Sequence, residues 1–387
     1  MPIYVCNIIY DMKSGKAEGI DGIPAEFLKV LGEDAYKLLE KICGQIYDTG
    51  DWPQDFTAAV MIPLQKKANA VNCEDYRTIS LIAHASKIIL KILTKRIEAK
   101  AAGVIGKTQF GFRKGCGTRD AIGVMRMLVE RSLEYDNEVF VCFVDFEKAF
   151  DRVNWIKMME ILKKIGVDWR DRRLIVNLYV NQTAVVRVHE EYTEACEIGR
   201  GVRQGCCLSP LLFSLYAEMM MEEAMEGIEE GITIGGKLLK DVRFADDQGM
   251  VASTECGLQK LMDGLVETAK RYDMKVNVKK TKVMRISRKG HGTINITIEG
   301  QQVEQVSKFK YLGSWITADG YCDTEIRARI GMAKHAYSCR KELLTRRMSR
   351  NVKKKIMKTI VWSVVLYGAE TWRLRKDEMR RINALEM

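Results

Sequence analysis

Phe244-Ala245-Asp246-Asp247 sets two adjacent carboxylates between two short apolar runs. Leu238 to Phe244 and Met250 to Ala252 read as strands, and the polar break between them makes Asp246 and Asp247 the tip of a hairpin. Asp is common in turns because it tolerates unusual backbone angles and bonds its own backbone, so the pair by itself says little. A second site far upstream changes its meaning. Val139 to Val144 is a nearly unbroken apolar run, the pattern of a strand buried on both faces, and it ends at Asp145. A helix is expected next, with Asp151 as N-cap, an apolar stripe of Val153, Ile156, Met159, Ile161 and Leu162, and Gly166 as its stop. Two strands of one sheet then bring Asp145 beside the Asp246-Asp247 hairpin.

Such a carboxylate cluster invites hard divalent cations. Mg²⁺ takes oxygen ligands and keeps waters, so a few carboxylates plus substrate phosphates make a site. Two such ions, about 3.5 to 4 Å apart, stabilise the attacking and leaving oxygens of an in-line phosphoryl displacement. The chemistry points to a polymerase or a nuclease. Zinc is the weaker candidate, because the 11 cysteines and 4 histidines show neither C-x-x-C nor H-x-x-x-H spacing.

The flanking residues narrow the choice. Val144-Asp145-Phe146-Glu147-Lys148-Ala149-Phe150-Asp151, then Gly201-Val202-Arg203-Gln204-Gly205-Cys206-Cys207-Leu208-Ser209-Pro210, then Phe244-Ala245-Asp246-Asp247 occur in that order. Together they resemble the reverse transcriptases of non-LTR (LINE-type) retrotransposons. Upstream blocks agree: Gly15-Lys16-Ala17 with Gly19-Ile20-Asp21-Gly22-Ile23-Pro24, Asp75-Tyr76-Arg77 with Ile79-Ser80-Leu81, and Gln109-Phe110-Gly111-Phe112-Arg113. Lys280-Thr281-Lys282, Tyr311-Leu312-Gly313 and Leu366-Tyr367-Gly368-Ala369-Glu370-Thr371-Trp372 complete the series. The likeness covers nearly the whole chain, and its nearest parallels carry an apurinic-type endonuclease ahead of the polymerase.

The resemblance implies an α+β fold of right-hand polymerase architecture, with fingers, a palm of antiparallel sheet and packed helices, and a helical thumb. It makes Asp145, Asp246 and Asp247 the catalytic and metal-binding triad, holding two Mg²⁺ ions with Mn²⁺ as a possible substitute. Phe150 matches the aromatic gate beneath the incoming sugar, although core packing also accounts for it. Gln204 and Gly205 match the loop against the incoming nucleotide, and Arg77 with Lys66 and Lys67 match cations that clamp its triphosphate. Either lysine of that pair fits the role. Lys280 matches a basic residue near the departing pyrophosphate, and Tyr311, Leu312 and Gly313 match the primer grip. Two departures stand out: Cys207 replaces the Pro or small residue that the family often carries, and Gly249 interrupts the strand after the acidic turn.

Composition agrees with a nucleic-acid partner. The chain carries a formal charge of +11, and residues 327–381 hold 17 Lys and Arg against 4 Asp and Glu, so the excess sits near the C-terminus. Arg346, Arg347, Lys353, Lys354 and Lys355 are the candidate contacts to a template-primer duplex. The expected partners are an RNA template, a DNA primer and dNTPs. With 387 residues, 47% of them hydrophobic, the chain can bury a real core. No apolar run is long enough for a membrane span and no secretory signal is evident, so an intracellular place, nuclear or cytoplasmic, is expected. Scattered cysteines suit a reducing compartment.

Along the chain, residues 1–138 are assigned mainly to fingers and an N-terminal extension, including a helix over Ser86 to Ala101. Residues 139–318 form the palm, and residues 319–387 a basic, helical thumb. Lys376 to Met387 is still periodic and no nicking domain precedes the first block, so the chain reads as a polymerase region cut from a longer endonuclease-reverse transcriptase. Two other readings stay open. One is a non-catalytic, retroelement-derived nucleic-acid-binding remnant, and the other a group II intron-type reverse transcriptase that assists splicing.

Overall fold

The run Val139–Val144 forms a strand whose six residues are all buried. Alternate residues of a strand point to opposite faces, so burial of all six requires cover on both sides. The computed structural model describes residues 2–189, 191–288 and 292–386. The chain divides into two compact units: Met1–Gly106 with Glu147–Glu223 and Thr268–Lys275, and Lys107–Phe146 with Ala224–Glu267 and Val276–Met387. The architecture is α+β.

In the second unit, Val139–Val144 lies in a sheet whose strand order is Glu304–Gln305, Lys282–Ile286, Val139–Val144, Asp247–Ala252, Asp241–Phe244. All neighbours are antiparallel except Lys282–Ile286 with Glu304–Gln305. Val139, Val141 and Phe143 share an apolar cluster with Ala121, Met125 and Leu128 of the helix Thr118–Glu134 and with Tyr311 and Ile316 of the hairpin Lys308–Tyr311/Ser314–Thr317. Phe143 stacks on Phe309 with ring centroids 4.2 Å apart. Truncating a buried aromatic of this kind costs about 3–5 kcal/mol.

Leu238 to Phe244 is not one strand. Lys237–Leu239 pairs with Ile232–Ile234 in a separate hairpin, and only Asp241–Phe244 joins the main sheet. Gly249 does not interrupt its strand either, because it pairs with Phe143 on one side and Val242 on the other. A Cβ there would lie 2.6 Å from Met125 Cε, so the glycine makes room for the covering helix. Beyond the hairpin come the helices Asp323–Ser338, Lys341–Thr345, Arg350–Ile356 and Lys376–Glu386. Met387 lies outside the described residues.

The first unit is built around a second sheet. Ala58–Gln65 pairs antiparallel with Tyr76–Leu81 and parallel with Thr183–Val188. The helix Ser86–Ala101 has the expected bounds, and its Ile88, Ile89, Leu93 and Ile97 are buried. The helix after Asp145 starts later than expected. It spans Trp155–Lys164, and its N-cap is Asn154, whose side chain accepts the Lys157 N–H at 3.1 Å. Asp151 belongs instead to the tight turn Ala149–Arg152. The buried face accordingly uses Met158, Ile161 and Leu162, and Ile156 is exposed. Gly166, with φ +77°, follows the helix in the left-handed conformation that ends one. Among the described residues, no helix is long and apolar enough to cross a membrane.

Candidate active site

Asp145 directly follows the buried strand. Gln248 pairs with Val144, so Asp145 and Asp247 are the residues that directly adjoin the last pair of this antiparallel register. Asp247 also pairs with Phe244, which leaves Ala245 and Asp246 as a two-residue connection. Asp246 therefore occupies the turn, and Asp247 is the first residue of the next strand rather than a second tip residue. Ala245 has φ +58°, the sign expected at the first position of a type II′ hairpin turn.

A left-handed backbone at alanine costs about 1–2 kcal/mol, and a local contact holds it in place. Gln109 is fully buried, and its Oε1 accepts the N–H of Gly111 at 2.8 Å and of Ala245 at 3.0 Å. Thr108 to Phe110 runs beside the hairpin: Arg243 N–H donates to Thr108 O at 2.9 Å and Phe110 N–H to Arg243 O at 2.9 Å. A Cβ on Gly111 would lie 2.4 Å from Ala245 N, so only glycine permits this approach. Below the turn, buried Arg243 pairs with buried Asp241 at 2.6 Å.

Lys280 places its ammonium 3.7 Å from Asp145 Oδ2. Asn277 N–H donates to Asp145 O at 2.7 Å and Thr281 N–H to Asn277 O at 2.9 Å, so the turn bearing Lys280 is fastened to the backbone of Asp145. Among the described residues, no group of three or more His, Cys, Asp or Glu side chains stands close enough to enclose a metal ion. The donor set nonetheless suits one. The carboxylates of Asp145, Asp246 and Asp247 are hard oxygen donors, the type that Mg²⁺ and Mn²⁺ accept.

Tyr311 is buried, and its Oη donates to Val242 O at 3.1 Å. Burial pushes its phenol pKa up, with Asp247 and Asp241 adding to the shift. This side chain is a core strut, and the turn itself is Leu312-Gly313. Both residues have positive φ, the type I′ pattern of a tight hairpin. Two residues absent from the expected set brace that turn. Tyr367 Oη donates to Leu312 O at 2.7 Å, and Arg329 Nη2 donates to Gly313 O while its guanidinium lies 4.4 Å from the Tyr367 ring centroid. The Leu366-Tyr367-Gly368 block supplied a signal for Tyr367, whereas nothing in the pattern marked Arg329.

In the first unit, the loop of Gln204 and Gly205 lies against the turn that holds Phe150. Val202 N–H donates to Phe150 O at 2.8 Å, and Gln204 Nε2 donates to Asp151 Oδ1 at 3.1 Å. On its other side, Ser80 N–H, in the same strand as Arg77, donates to Gln204 O at 2.7 Å. Gly205 has φ +111°, and a Cβ would lie 2.8 Å from Ser80 O. Phe150 stacks on Phe213 with centroids 4.2 Å apart. Arg203 is buried, its Nε donating to Gln182 Oε1 at 2.9 Å and its other nitrogens to the carbonyls of Phe56, Thr57 and Leu178. That residue locks the loop from beneath. Cys206 is buried and Cys207 half-buried at the start of the helix Ser209–Ala224. A hydrogen bond from Cys207, aided by the N–H groups of Leu208 and Ser209 and by Arg203, pulls the Cys206 thiol below its ordinary pKa.

Arg77, Lys66 and Lys67 are exposed. Lys66 Nζ donates to Glu74 O at 2.8 Å, and Lys67 pairs with Asp75 at 2.8 Å. Among the C-terminal cations, Arg346, Arg347, Lys354 and Lys355 are exposed and Lys353 is partly buried.

A buried strand that ends on a carboxylate beside an acidic hairpin is the core expected of a nucleotide polymerase. Residues 64–316 match the reverse transcriptase (RNA-dependent DNA polymerase) family, and the chain belongs to that family. Proteins similar to the chain include RNA-directed DNA polymerases of mobile elements. It is 24% identical over 403 residues to the RNA-directed DNA polymerase from mobile element jockey of Drosophila funebris, spanning 99% of this chain and 42% of that protein. It is 26% identical over 405 residues to the probable RNA-directed DNA polymerase from transposon X-element of Drosophila melanogaster, spanning 100% of this chain and 43% of that protein. The chain thus spans less than half the length of these relatives. A solved structure of Candida tropicalis telomerase with a fragment of telomeric RNA is similar over 85% of this chain and 57% of that one, at 14% identity and TM-score 0.49.

Proposed function

We propose that this chain is the polymerase region of a non-LTR retrotransposon reverse transcriptase, adding dNTPs to a DNA 3′-OH on an RNA template in retrotransposition. The observation that carries the reading is the register that pairs Gln248 with Val144, so that Asp145 and Asp247 each adjoin its last pair, with Asp246 in the neighbouring turn. Asp145, Asp246 and Asp247 are the residues for two Mg²⁺ ions, with Mn²⁺ as substitute. Such ions supply charge neutralisation at the attacking 3′-oxygen and at the departing pyrophosphate.

The chain's own groups do the rest. In the second unit, the Lys280 ammonium beside Asp145 meets the negative charge that develops on the leaving phosphates, and the Leu312-Gly313 turn, braced by Tyr367 and Arg329, holds the primer end. In the first unit, Gln204 and the backbone at Gly205 orient the incoming nucleotide, Phe150 excludes a 2′-hydroxyl, and Arg77 with Lys66 or Lys67 binds its triphosphate. Residues 1–138 serve mainly as fingers, 139–318 as palm and 319–387 as thumb. The cations Arg346, Arg347 and Lys353 to Lys355 bind duplex phosphates without reading sequence. The work is positioning and electrostatic stabilisation, as expected for phosphoryl transfer. An intracellular setting supplies the template and dNTPs.

The test is dNTP incorporation on oligo(dT)-primed poly(rA) with Mg²⁺, beside the Asp246→Asn variant. Incorporation by the native chain and its loss in the variant are expected. Equal incorporation by both would overturn the carboxylate assignment. No incorporation by either, with RNA binding retained, would leave a nucleic-acid-binding remnant.

A further inference from the structure

A cavity of about 550 Å³ opens in the first unit, lined by Tyr47, Arg96, Lys100, Gly166, Asp168 and Asp171 among others. It sits where the end of the helix Glu33–Thr49 and the last turns of Ser86–Ala101 meet the loop joining Trp155–Lys164 to Trp169–Val180. None of these residues lies in the blocks that carry the family resemblance, and none belongs to the candidate active site.

The wall is charge-balanced. Arg96 Nη1 donates to Oδ1 of buried Asp171 at 2.8 Å, and the same guanidinium lies 4.8 Å from the Tyr47 ring centroid. The pair neutralises the arginine and fixes its plane against the phenol. Lys100 adds a donor, and Asp168, whose carboxylate accepts the Arg170 N–H at 2.9 Å, adds an acceptor. Two cations against two carboxylates give no net attraction for a free anion inside. A planar, hydrogen-bonding, neutral group suits this wall, and the volume lies within the range of about 300–1,000 Å³ that small-ligand sites occupy.

The rim differs from the wall. Flanking the lining residues 166–168 in sequence, Lys163, Lys164 and Arg170 are exposed, and Trp169 is 55% exposed, with the Arg170 and Arg173 guanidinium carbons 5.5 and 5.2 Å from its ring centroid. Arg173 Nη2 also donates to the carbonyls of Tyr47 at 3.1 Å and Asp48 at 2.8 Å, which ties the Trp169 turn to the Tyr47 wall. A neutral planar slot bordered by cations and an exposed indole matches the alternation of base and phosphate along a nucleic-acid strand.

We propose that this cavity and its rim form a binding site for a single-stranded polynucleotide. One base enters against the Arg96–Tyr47 surface, a neighbouring base meets Trp169, and Lys163, Lys164 and Arg170 contact the intervening phosphates. The proposal does not depend on catalysis.

The test uses the full chain with no dNTPs and with saturating primer–template hybrid present to occupy other nucleic-acid sites. Two labelled probes are added separately: a 12-mer oligo(rU) carrying 4-thiouridine and a 12-mer oligo(dT) carrying 4-thiothymidine. Photocrosslinks in the peptides containing Tyr47 or Trp169 are expected. Trp169→Ala should weaken binding of the crosslinking probe about tenfold, the scale of one stacked base. Lys163→Glu combined with Lys164→Glu should reduce the slope of log K against log [salt] by about 1.4, the scale of two single-strand phosphate contacts. These side chains are exposed, so circular dichroism should be unchanged. Crosslinking of the RNA probe alone identifies the strand as RNA, and crosslinking of both admits either nucleic acid. Crosslinks confined to other peptides, or unaltered affinity in both variants, overturn the proposal. Because no nucleotide is incorporated, a negative polymerase assay leaves this readout intact.

Discussion

Gln109 Oε1 accepts the backbone N–H of Ala245 at 3.0 Å, so a side chain from outside the acidic hairpin holds the residue that precedes Asp246. The same oxygen takes the Gly111 N–H at 2.8 Å, and Gln109 is fully buried. Its removal leaves two buried donors unpaired, each costing about 1–3 kcal/mol. Gln109→Leu, close in size but without the acceptor, is expected to destabilise the chain by about 2–4 kcal/mol in urea unfolding. As a positioning residue, Gln109 should also affect more than stability. At temperatures where the variant stays folded, the Mg²⁺ concentration for half-maximal incorporation should rise several-fold while KM for primer–template changes little. An unchanged Mg²⁺ dependence would mean that the bond supports the fold alone.

Gly205 meets two constraints at once. Its φ of +111° lies in a region that L side chains rarely adopt, and a Cβ would lie 2.8 Å from Ser80 O, a backbone atom that cannot easily move away. Gly205→Ala should therefore cost about 1–3 kcal/mol in unfolding experiments. It should also raise KM for dNTP, because Gln204 is fixed through its own carbonyl to the Ser80 N–H. A stable variant with native KM would remove the close-approach argument.

Elements with strong local periodicity were legible in the sequence. The all-apolar run Val139–Val144 and the stripe of Ser86–Ala101 each specify an element and its buried residues. Element starts were less legible, because capping depends on one side chain's geometry. Asp151 and Asn154 are both competent caps by type, and only the fold selects Asn154. Leu238 to Phe244 looked continuous because pairing partners, rather than apolar content, separate its two strands. For the candidate site, the positions of the carboxylates followed from two short motifs. Their supports did not, since Gln109 to Ala245 and Arg329 to Gly313 are contacts from side chain to backbone between segments distant in sequence. No periodic pattern encodes those. Tyr311 illustrates the converse: the motif located the turn, whereas the burial of its ring depends on Phe143 across the core.

Lys280 Nζ stands 3.7 Å from Asp145 Oδ2 on a turn fastened to the Asp145 backbone. A cation so placed can stabilise charge as it develops on departing phosphates, a type of contribution worth about 100-fold in rate at preorganised sites. Lys280→Ala should lower kcat by about that factor and leave KM for primer–template nearly unchanged. Lys280→Arg separates two roles. It keeps the charge and loses ready proton donation, so recovery of most of the rate would assign an electrostatic role. Full activity in Lys280→Ala would exclude both.

Lys66 and Lys67 are neighbours with different partners, and the difference sets a pH prediction. The hydrogen bond from Lys67, with those from the N–H groups of Asn72 and Val71, holds the Asp75 carboxyl down to about 2 from its ordinary 3.8. A carboxyl whose pKa is depressed by folding contributes stability above its unfolded value and loses it as pH falls through the folded value. The Asp75 contribution is therefore present above about pH 4 and disappears toward pH 2. Lys67→Met removes the largest cause, so the Asp75 pKa should move up toward its ordinary value in a carboxyl NMR titration. The acid unfolding transition should move to higher pH with it. Among the described residues Lys66 has no carboxylate in that role, and its ammonium donates to the Glu74 carbonyl at 2.8 Å. Its charge is thus the less compensated of the two, and an ammonium retains further donors for a phosphate. Lys66→Met should consequently raise KM for dNTP more than Lys67→Met does. The reverse order would make the Lys67–Asp75 pair a latch that opens to bind the triphosphate.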